Sequence, residues 1–267
     1  MEKLGFIGMG NMAQALCLGF AKSGKISANK MYAFAPNQEK LKKNAEKLHF
    51  NPCESVKKLV IECDTIIMAC KPQQVESVLK QLYDCLYGKT LISIALGWNF
   101  NKYKEVMQRI MPLELESLKL QFIMPNTPAM VNEGVFLFEK TNSLEKNERQ
   151  ELMGLFSSLG LVEELPDNLM EIGGAISGCG PAFVDMIIES YADAAVKYGI
   201  PRTIAYKLVS QTILGSAKLQ LKTEIPPAVL KDNVCSPGGS TICGVSSLEK
   251  NGLRNACIES IDAIMKR

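Results

Sequence analysis

The stretch Lys231-Asp232-Asn233-Val234-Cys235-Ser236-Pro237-Gly238-Gly239-Ser240-Thr241 combines a proline-fixed turn, two glycines and several hydroxyls just ahead of a helical pattern. Pro237 removes a donor and sets the chain direction, while Gly238 and Gly239 let the backbone approach a ligand. Amides ahead of a helix can then converge on a small anion such as a carboxylate. Ser236, Ser240 and Thr241 add directional hydrogen bonds. The plainer reading of the same residues is a Pro-Gly-Gly turn with Ser240 or Thr241 as the N-cap of the helix.

Near the other end, Leu4-Gly5-Phe6-Ile7-Gly8-Met9-Gly10-Asn11-Met12-Ala13 runs from a short apolar strand into a helical pattern and reads Gly-x-Gly-x-x-Ala. This is a dinucleotide fingerprint in the context it requires. Gly8 makes the tight turn, Gly10 admits a pyrophosphate close to the backbone, and Ala13 keeps the helix near the strand. The next strand ends in Ala33-Phe34-Ala35-Pro36-Asn37, with no acid before Glu39. A site selective for NAD places a carboxylate there against the ribose hydroxyls. Without one a 2'-phosphate is not repelled, and Asn37 with Lys40 or Lys43 could bind it. This favours NADPH, with NADH as the alternative. The lysines could instead simply solvate a helix face.

Such a site needs a sheet to hold it. Candidate strands are Lys3 to Gly8, Lys30 to Ala35, Thr65 to Cys70, Thr90 to Ala95 and Lys119 to Met124. Helical segments around Gln38 to Lys47, Gln74 to Leu82 and Asn101 to Arg109 lie between them. The alternation predicts a doubly wound parallel sheet with helices on both faces. Val135 to Phe138 and Val162 to Leu165 read as two added edge strands flanking a helix near Glu148 to Ser158. After about Pro166 the strand signal disappears. The remainder reads as helices over Leu169 to Ser177, Ala182 to Tyr198, Arg202 to Leu221, Pro227 to Lys231, a segment from Thr241, and Leu253 to Lys266. Pro181 lies where a helix must start or kink. The expected organisation is a Rossmann-type α/β domain over 1–165 and an all-helical domain over 166–267.

Bulk properties suit an enzyme that handles small molecules. A net charge of +2 argues for neither nucleic acid nor an anionic membrane surface as partner. No apolar run reads as a membrane span, and no basic region followed by an apolar core and cleavage site opens the chain, so a cytoplasmic protein is expected. Nine cysteines form an odd set with no Cys-x-x-Cys pair, which suits a reducing compartment. His49 is the one histidine, which argues against a structural zinc site or a Ser-His-Asp triad and reads as a solvated residue ending a Lys-rich helix. No metal is expected. The long apolar helices of the second half have too little chain left to bury themselves, so a homodimer or larger homo-oligomer is expected.

Gly8-Met9-Gly10-Asn11-Met12, Ala69-Cys70-Lys71-Pro72, Ala95-Leu96-Gly97, Met124-Pro125-Asn126-Thr127-Pro128, Ser177-Gly178-Cys179-Gly180-Pro181-Ala182 and Asp232 to Thr241 occur in one order along the chain. That order and spacing resembles pyrroline-5-carboxylate reductase over nearly the whole length. The resemblance implies the last step of proline synthesis, in which a nicotinamide cofactor delivers hydride to a cyclic imine bearing a carboxylate. It implies a helical C-terminal domain interleaved with that of a partner chain, so that each active site draws on two subunits.

By the same resemblance, Gly239 and the amides and hydroxyls of Ser240 and Thr241 hold the carboxylate. Thr241 also faces the ring nitrogen and is the candidate catalytic residue. Asn233 and Ser236 support the loop and cofactor, Glu224 matches an acid near the ring nitrogen from the neighbouring subunit, and Asp167 matches another. Ile7 to Met12 fall at the pyrophosphate, including Ile7, Gly8, Gly10, Asn11 and Met12. Ala35 and Asn37 fall at the adenosine end, Ala69, Lys71, Pro72 and Gly97 near the ribose and nicotinamide, and Asn126 at a strand end facing the cofactor. Asn126 also fits a turn residue of a rigid loop. Leu96 and Cys179 depart from the family pattern. Two other readings remain: a β-hydroxyacid dehydrogenase, which would carry a catalytic Lys where Gly173-Gly174-Ala175-Ile176-Ser177 leads into Gly180-Pro181, and a non-enzymatic NADPH-sensing module, which would show a damaged loop at Ser236 to Thr241.

Overall fold

The computed structural model describes residues 3–82, 85–112 and 117–266. The chain forms two compact units, Met1–Gly178 and Cys179–Arg267. The first holds strands β1 (Leu4–Ile7), β2 (Met31–Phe34), β3 (Asn51–Pro52), β4 (Thr65–Met68), β5 (Thr90–Ser93), β6 (Lys119–Pro125), β7 (Gly134–Glu139) and β8 (Gly160–Leu165). Its helices are α1 (Asn11–Ser23), α2 (Gln38–Leu48), α3 (Val56–Glu62), α4 (Pro72–Gln81), α5 (Phe100–Ile110) and α6 (Lys146–Phe156). Helix α7 (Met170–Lys197) runs from the first unit into the second, followed by α8 (Arg202–Thr223), α9 (Pro227–Val234), α10 (Ser240–Lys250) and α11 (Leu253–Met265).

The strands make one sheet in the order β3-β2-β1-β4-β5-β6-β7-β8. Pairing is parallel from β3 to β6; β7 lies antiparallel to β6, and β8 parallel to β7. This is the Rossmann-type doubly wound arrangement expected, extended by two strands. Successive residues of the central strands serve opposite faces. Leu4 and Phe6 of β1, Ile67 of β4 and Ile92 of β5 join one buried cluster with Leu16 and Phe20 of α1. Ile7, Ile66, Met68 and Leu91 join the other, with Leu59 of α3, Leu79 of α4 and Met107 of α5. Gly5 is glycine because α3 packs there: an added Cβ would stand 2.6 Å from Leu59 Cδ2.

Four elements differ from the expectations. β3 and α3 carried no usable signal, β3 being two residues long and α3 seven. Of the two added strands, only β8 is an edge; β7 sits between β6 and β8. The two helices expected on either side of Pro181 are one helix, α7, with Pro181 inside it. Pro181 has no N–H for the carbonyl four residues back. That carbonyl, of Ser177, instead accepts a hydrogen bond from Asn126 Nδ2 at 2.9 Å, which satisfies the helix where proline would leave it broken. His49 is exposed and closes α2 in the left-handed conformation, φ 62°.

In the second unit Ala192 and Ala205 are buried, whereas Met186, Tyr191, Leu208, Leu221 and Ile258 stand exposed. The stretch Asp167–Lys197 is, by length and composition, long and apolar enough to cross a membrane, which the sequence reading did not anticipate. Its exposed apolar side chains require a covering surface.

Glu139, which ends β7, is fully buried. Its Oε2 accepts a hydrogen bond from the backbone N–H of Phe100 at the start of α5, at 2.8 Å, and Oε1 has no partner. Arg149 of α6 does not reach the carboxyl: Nη2 donates to the Glu139 carbonyl, Nε to Gln121 Oε1, and Nη1 pairs with Glu164. Burial pushes the Glu139 carboxyl up to about 7; the Phe100 N–H opposes this and the Asp167 carboxylate adds to it. The fold therefore favours the protonated form, so stability from this group is complete below the ordinary value of 4.5 and is lost as pH rises through about 7. Relative to wild type, Glu139→Gln is expected to gain about 2 kcal/mol of stability between about pH 5 and about pH 8. Denaturant unfolding of both proteins at the two pH values checks this; a difference that does not change with pH would contradict it.

Candidate functional site

A cleft of about 530 Å³ opens at the carboxyl ends of β1, β2 and β4, where the strand order reverses between β1 and β4. Open α/β sheets bind ligands at that place. Ile7, Gly8 and Gly10 reach it from the β1–α1 turn, Ala35 and Asn37 from the β2–α2 turn, and Ala69 and Lys71 from the β4–α4 turn. The fold thus gathers seven of the residues expected at a cofactor. Asn11 and Met12 form the first turn of α1, next to Gly10.

The two glycines of the fingerprint do different work. Gly8 has φ 100°, and an added Cβ would lie 2.6 Å from the Ala69 carbonyl oxygen and 2.7 Å from Cys70 N. Only glycine fits. Gly10 has ordinary extended φ and nothing within 4 Å of an added Cβ, so neither backbone nor packing demands glycine there. It is the N-cap of α1, has no side chain to cap the helix, and the first turn carries no acid. The helix therefore presents its free amides and the positive end of its dipole next to the cleft. That fits a bound pyrophosphate.

At the far side of the cleft Asn37 is the N-cap of α2, its Oδ1 accepting from Lys40 N at 2.9 Å. Lys40 and Asn44 of α2 line the cleft opposite Gln74, Ser77 and Gln81 of α4, whereas Lys43 is not part of the lining. The α4 residues were missed, although their spacing of three and four puts them on one polar helix stripe beside the apolar Val75, Val78 and Leu79. Cys70 also lines the cleft, but burial pushes its thiol up to about 11, which keeps it a neutral, unreactive group. Pro72 is the first residue of α4 and Gly97, with φ 77°, turns the chain after β5; neither lines the cleft.

Asn126 is 5% exposed, and its amide works inside the protein: Nδ2 donates to Ser177 O, and Oδ1 accepts from Val135 N at 2.8 Å. Its side chain holds α7 against the sheet, the role of a rigid-loop residue. Asp167 accepts hydrogen bonds from Thr141, Oγ1 to Oδ2 at 2.6 Å and N to Oδ1 at 3.3 Å. Gly173 and Gly174 let α7 approach closely: an added Cβ on Gly173 would stand 2.6 Å from Leu165 Cδ1, and one on Gly174 would overlap the Met124 sulfur. No lysine follows them in this turn of α7.

In the second unit, α9 ends at Val234 and the chain turns through Cys235 to Gly239, with Cys235 N donating to Asp232 O and Gly239 N to Ser236 O, both at 3.0 Å. Gly238 is left-handed, φ 67°, and an added Cβ on Gly239 would stand 2.4 Å from Ser236 Oγ, which would have to turn away. The N-cap of α10 is Gly239, without a side-chain cap, so the plainer reading of Ser240 or Thr241 as the cap does not hold. Ser240 and Thr241 are the first two helical residues, exposed, with their amides free of intrahelical partners. Ser236 is exposed on this turn, and Asn233 is exposed in the last turn of α9. Glu224, also exposed, closes α8 at φ 56°, a conformation that costs a non-glycine residue about 1 kcal/mol or more and recurs at functional sites. Among the described residues no group of three or more His, Cys, Asp or Glu side chains gathers in metal-binding fashion.

Comparison with known proteins agrees with this geometry. Residues 167–267 match the family model for pyrroline-5-carboxylate reductase dimerisation, and residues 3–97 match the model described as NADP oxidoreductase, coenzyme F420-dependent. Pyrroline-5-carboxylate reductase of Treponema pallidum is 38% identical over 98% of this chain and 98% of its own length. The Escherichia coli enzyme is 34% identical over 100% and 97%. The crystal structure of Plasmodium falciparum pyrroline carboxylate reductase with NADP bound superposes with a TM-score of 0.86 at 35% identity, covering 100% of this chain and 97% of that one. Matching full-length relatives in sequence and in three dimensions, this chain belongs to the pyrroline-5-carboxylate reductase family.

Proposed function

We propose that the chain reduces 1-pyrroline-5-carboxylate to L-proline with NADPH, the last step of proline biosynthesis. The observation that carries this is a pair of helix N-termini left open by glycine N-caps, α1 beside the cleft for a pyrophosphate and α10 behind the Ser236–Thr241 turn for a carboxylate. A bound dinucleotide supplies hydride; the chain's own residues bind, orient and handle the proton. Gly10 and the first-turn amides of α1, with Asn11 and Met12, take the pyrophosphate. Ala35, Asn37 and Lys40 take the adenosine end, and Ala69, Lys71, Pro72 and Gly97 the ribose and nicotinamide. Asn126 acts on the cofactor edge by holding α7, and Asn233 supports the loop and the cofactor.

The substrate carboxylate is held by the amides and hydroxyls of Ser240 and Thr241, with Ser236 and Gly239 shaping the turn. Clamping it fixes the imine carbon in line for hydride and turns an encounter into a positioned reaction. The Thr241 hydroxyl faces the ring nitrogen as its electron pair develops, and Glu224 of a neighbouring subunit lies near the same atom. Asp167 stays a secondary candidate, since its carboxylate is already bonded to Thr141. The working domain boundary falls near residue 165, supported by a dimerisation model that begins at 167. An odd set of nine cysteines with no Cys-x-x-Cys pair suits a cytoplasmic enzyme. The assay is NADPH oxidation with pyrroline-5-carboxylate, run beside 3-hydroxy acids with NADP in the other direction. Turnover of hydroxy acids alone would replace this reading with that of a hydroxyacid dehydrogenase.

Cofactor choice follows from the β2–α2 turn. NADPH is expected to give a higher kcat/KM than NADH. In Asn37→Asp the helix cap survives, because aspartate caps as well as asparagine, but a carboxylate now faces the 2'-phosphate. Preference should shift toward NADH by roughly 10- to 100-fold, read from steady-state kinetics with both cofactors. Equal use of the two by the wild type would remove the argument from the missing acid.

The exposed apolar helices of the second unit call for a homodimer at minimum. Sedimentation at micromolar concentration is expected to show it, and a stable, fully active monomer would remove the assignment of Glu224 to a neighbour's site.

A further inference from the structure

Trp98, the chain's one tryptophan, is 8% exposed and sits between two of the turns assigned to the cofactor. Its indole Nε1 donates to the Pro72 carbonyl at 2.9 Å, reaching the β4–α4 turn that carries Ala69, Cys70 and Lys71 into the cleft. Its backbone N–H donates to the Ala95 carbonyl at 3.0 Å, closing the β5–α5 turn around left-handed Gly97. Its own carbonyl accepts from Ser93 Oγ, fully buried at the end of β5, at 3.0 Å. The ring packs edge-on against buried Tyr103 of α5, centroids 5.1 Å apart. The backbone of Trp98 is therefore locked to β5, while the tip of its side chain is locked to α4.

We infer that Trp98 is a positioning residue for cofactor binding: its indole N–H fixes the spacing of the Lys71-Pro72 turn and the Gly97 turn, and so preorganises the edge on which the ribose and nicotinamide are laid. Pro72 and Trp98 are 26 residues apart, and this side-chain hydrogen bond joins the two turns directly. A free protein whose turns are already at the right separation loses less freedom on binding than one whose turns must be brought together. Once a cofactor is seated, it bridges the turns itself. Loss of the indole bond is therefore felt in cofactor affinity and hardly at all in the chemical step.

This inference rests on the proposed assignment of NADPH to the cleft, and the experiment separates the two. Two changes are made: Trp98→Phe, and replacement of the single tryptophan by benzothienylalanine, which keeps the bicyclic shape but has no N–H. Because there is one tryptophan, the second replacement touches nothing else, and it serves if the phenylalanine variant folds poorly. In both, Kd and KM for NADPH are expected to rise about 5- to 10-fold, the size of one neutral hydrogen bond, with kcat and the KM for the imine within about twofold of wild type. An unchanged NADPH Kd in the benzothienylalanine protein overturns the inference, as does a fall in kcat with unchanged KM. A wild type that binds no NADPH overturns the cofactor reading itself, and this inference with it.

Discussion

Gly8→Ala is expected to destabilise the first unit by about 2 to 4 kcal/mol and to abolish measurable NADPH binding. The left-handed φ of 100° is strained for any side chain. The new Cβ would press on the Ala69 carbonyl and Cys70 N, which are backbone atoms of β4's end and have no rotamer by which to escape. The matching change at Gly10 separates folding from binding. Gly10→Ala meets open space and an ordinary φ, so its stability should stay within about 1 kcal/mol of wild type. Its NADPH affinity should nevertheless fall roughly 10- to 100-fold, because the methyl group fills the approach to the free amides of α1. Thermal unfolding and NADPH titration on both variants give the comparison. A Gly10→Ala protein that binds NADPH as tightly as wild type would show that the phosphates do not pass over this residue.

Thr241→Ala is expected to lower kcat/KM for the imine roughly 10- to 150-fold, the loss of one hydrogen bond to a charged or charging group of about 1.5 to 3 kcal/mol. NADPH affinity should hold. Stability should also hold, because Gly239 and not Thr241 caps α10, so no capping bond is lost. Kinetics and melting temperature measured on the same variant make the test, and a lowered melting temperature with near-normal kinetics would end the catalytic assignment. Ser240→Ala provides the companion measurement, since its hydroxyl is proposed to meet the carboxylate alone.

Much of this molecule was legible before any coordinates. The strands β1, β2, β4, β5 and β6 carry short apolar runs bounded by turn residues, and such a run is read without knowing what lies across the sheet. Gly8 and Gly238 are readable because a left-handed turn position demands glycine and writes that demand at one place in the sequence. The Rossmann-type sheet, the helical second half and the residues of both glycine-containing turns therefore followed from local pattern and from the family resemblance those patterns carry.

Other features were settled only by residues far apart in sequence meeting in space. Pro181 read as a helix start or kink because, within one helix, nothing replaces its missing N–H; Asn126, more than fifty residues earlier, stands beside the carbonyl it leaves bare and lets α7 continue. Glu139 lies one residue past the strand read at Val135 to Phe138, and only the packing of α5 and α6 over it makes it a buried carboxyl pushed up to about 7. β3 is a strand because Tyr32 and Ala33 offer it a ladder, not because Asn51-Pro52 prefers one. Gln74, Ser77 and Gln81 became part of the cleft when α4 was set opposite α2, and Trp98 became a tie between two turns when β5 was placed beside β4. Periodicity and turn chemistry are written residue by residue along the chain, whereas these contacts join distant segments and exist only once the sheet order has brought their elements together.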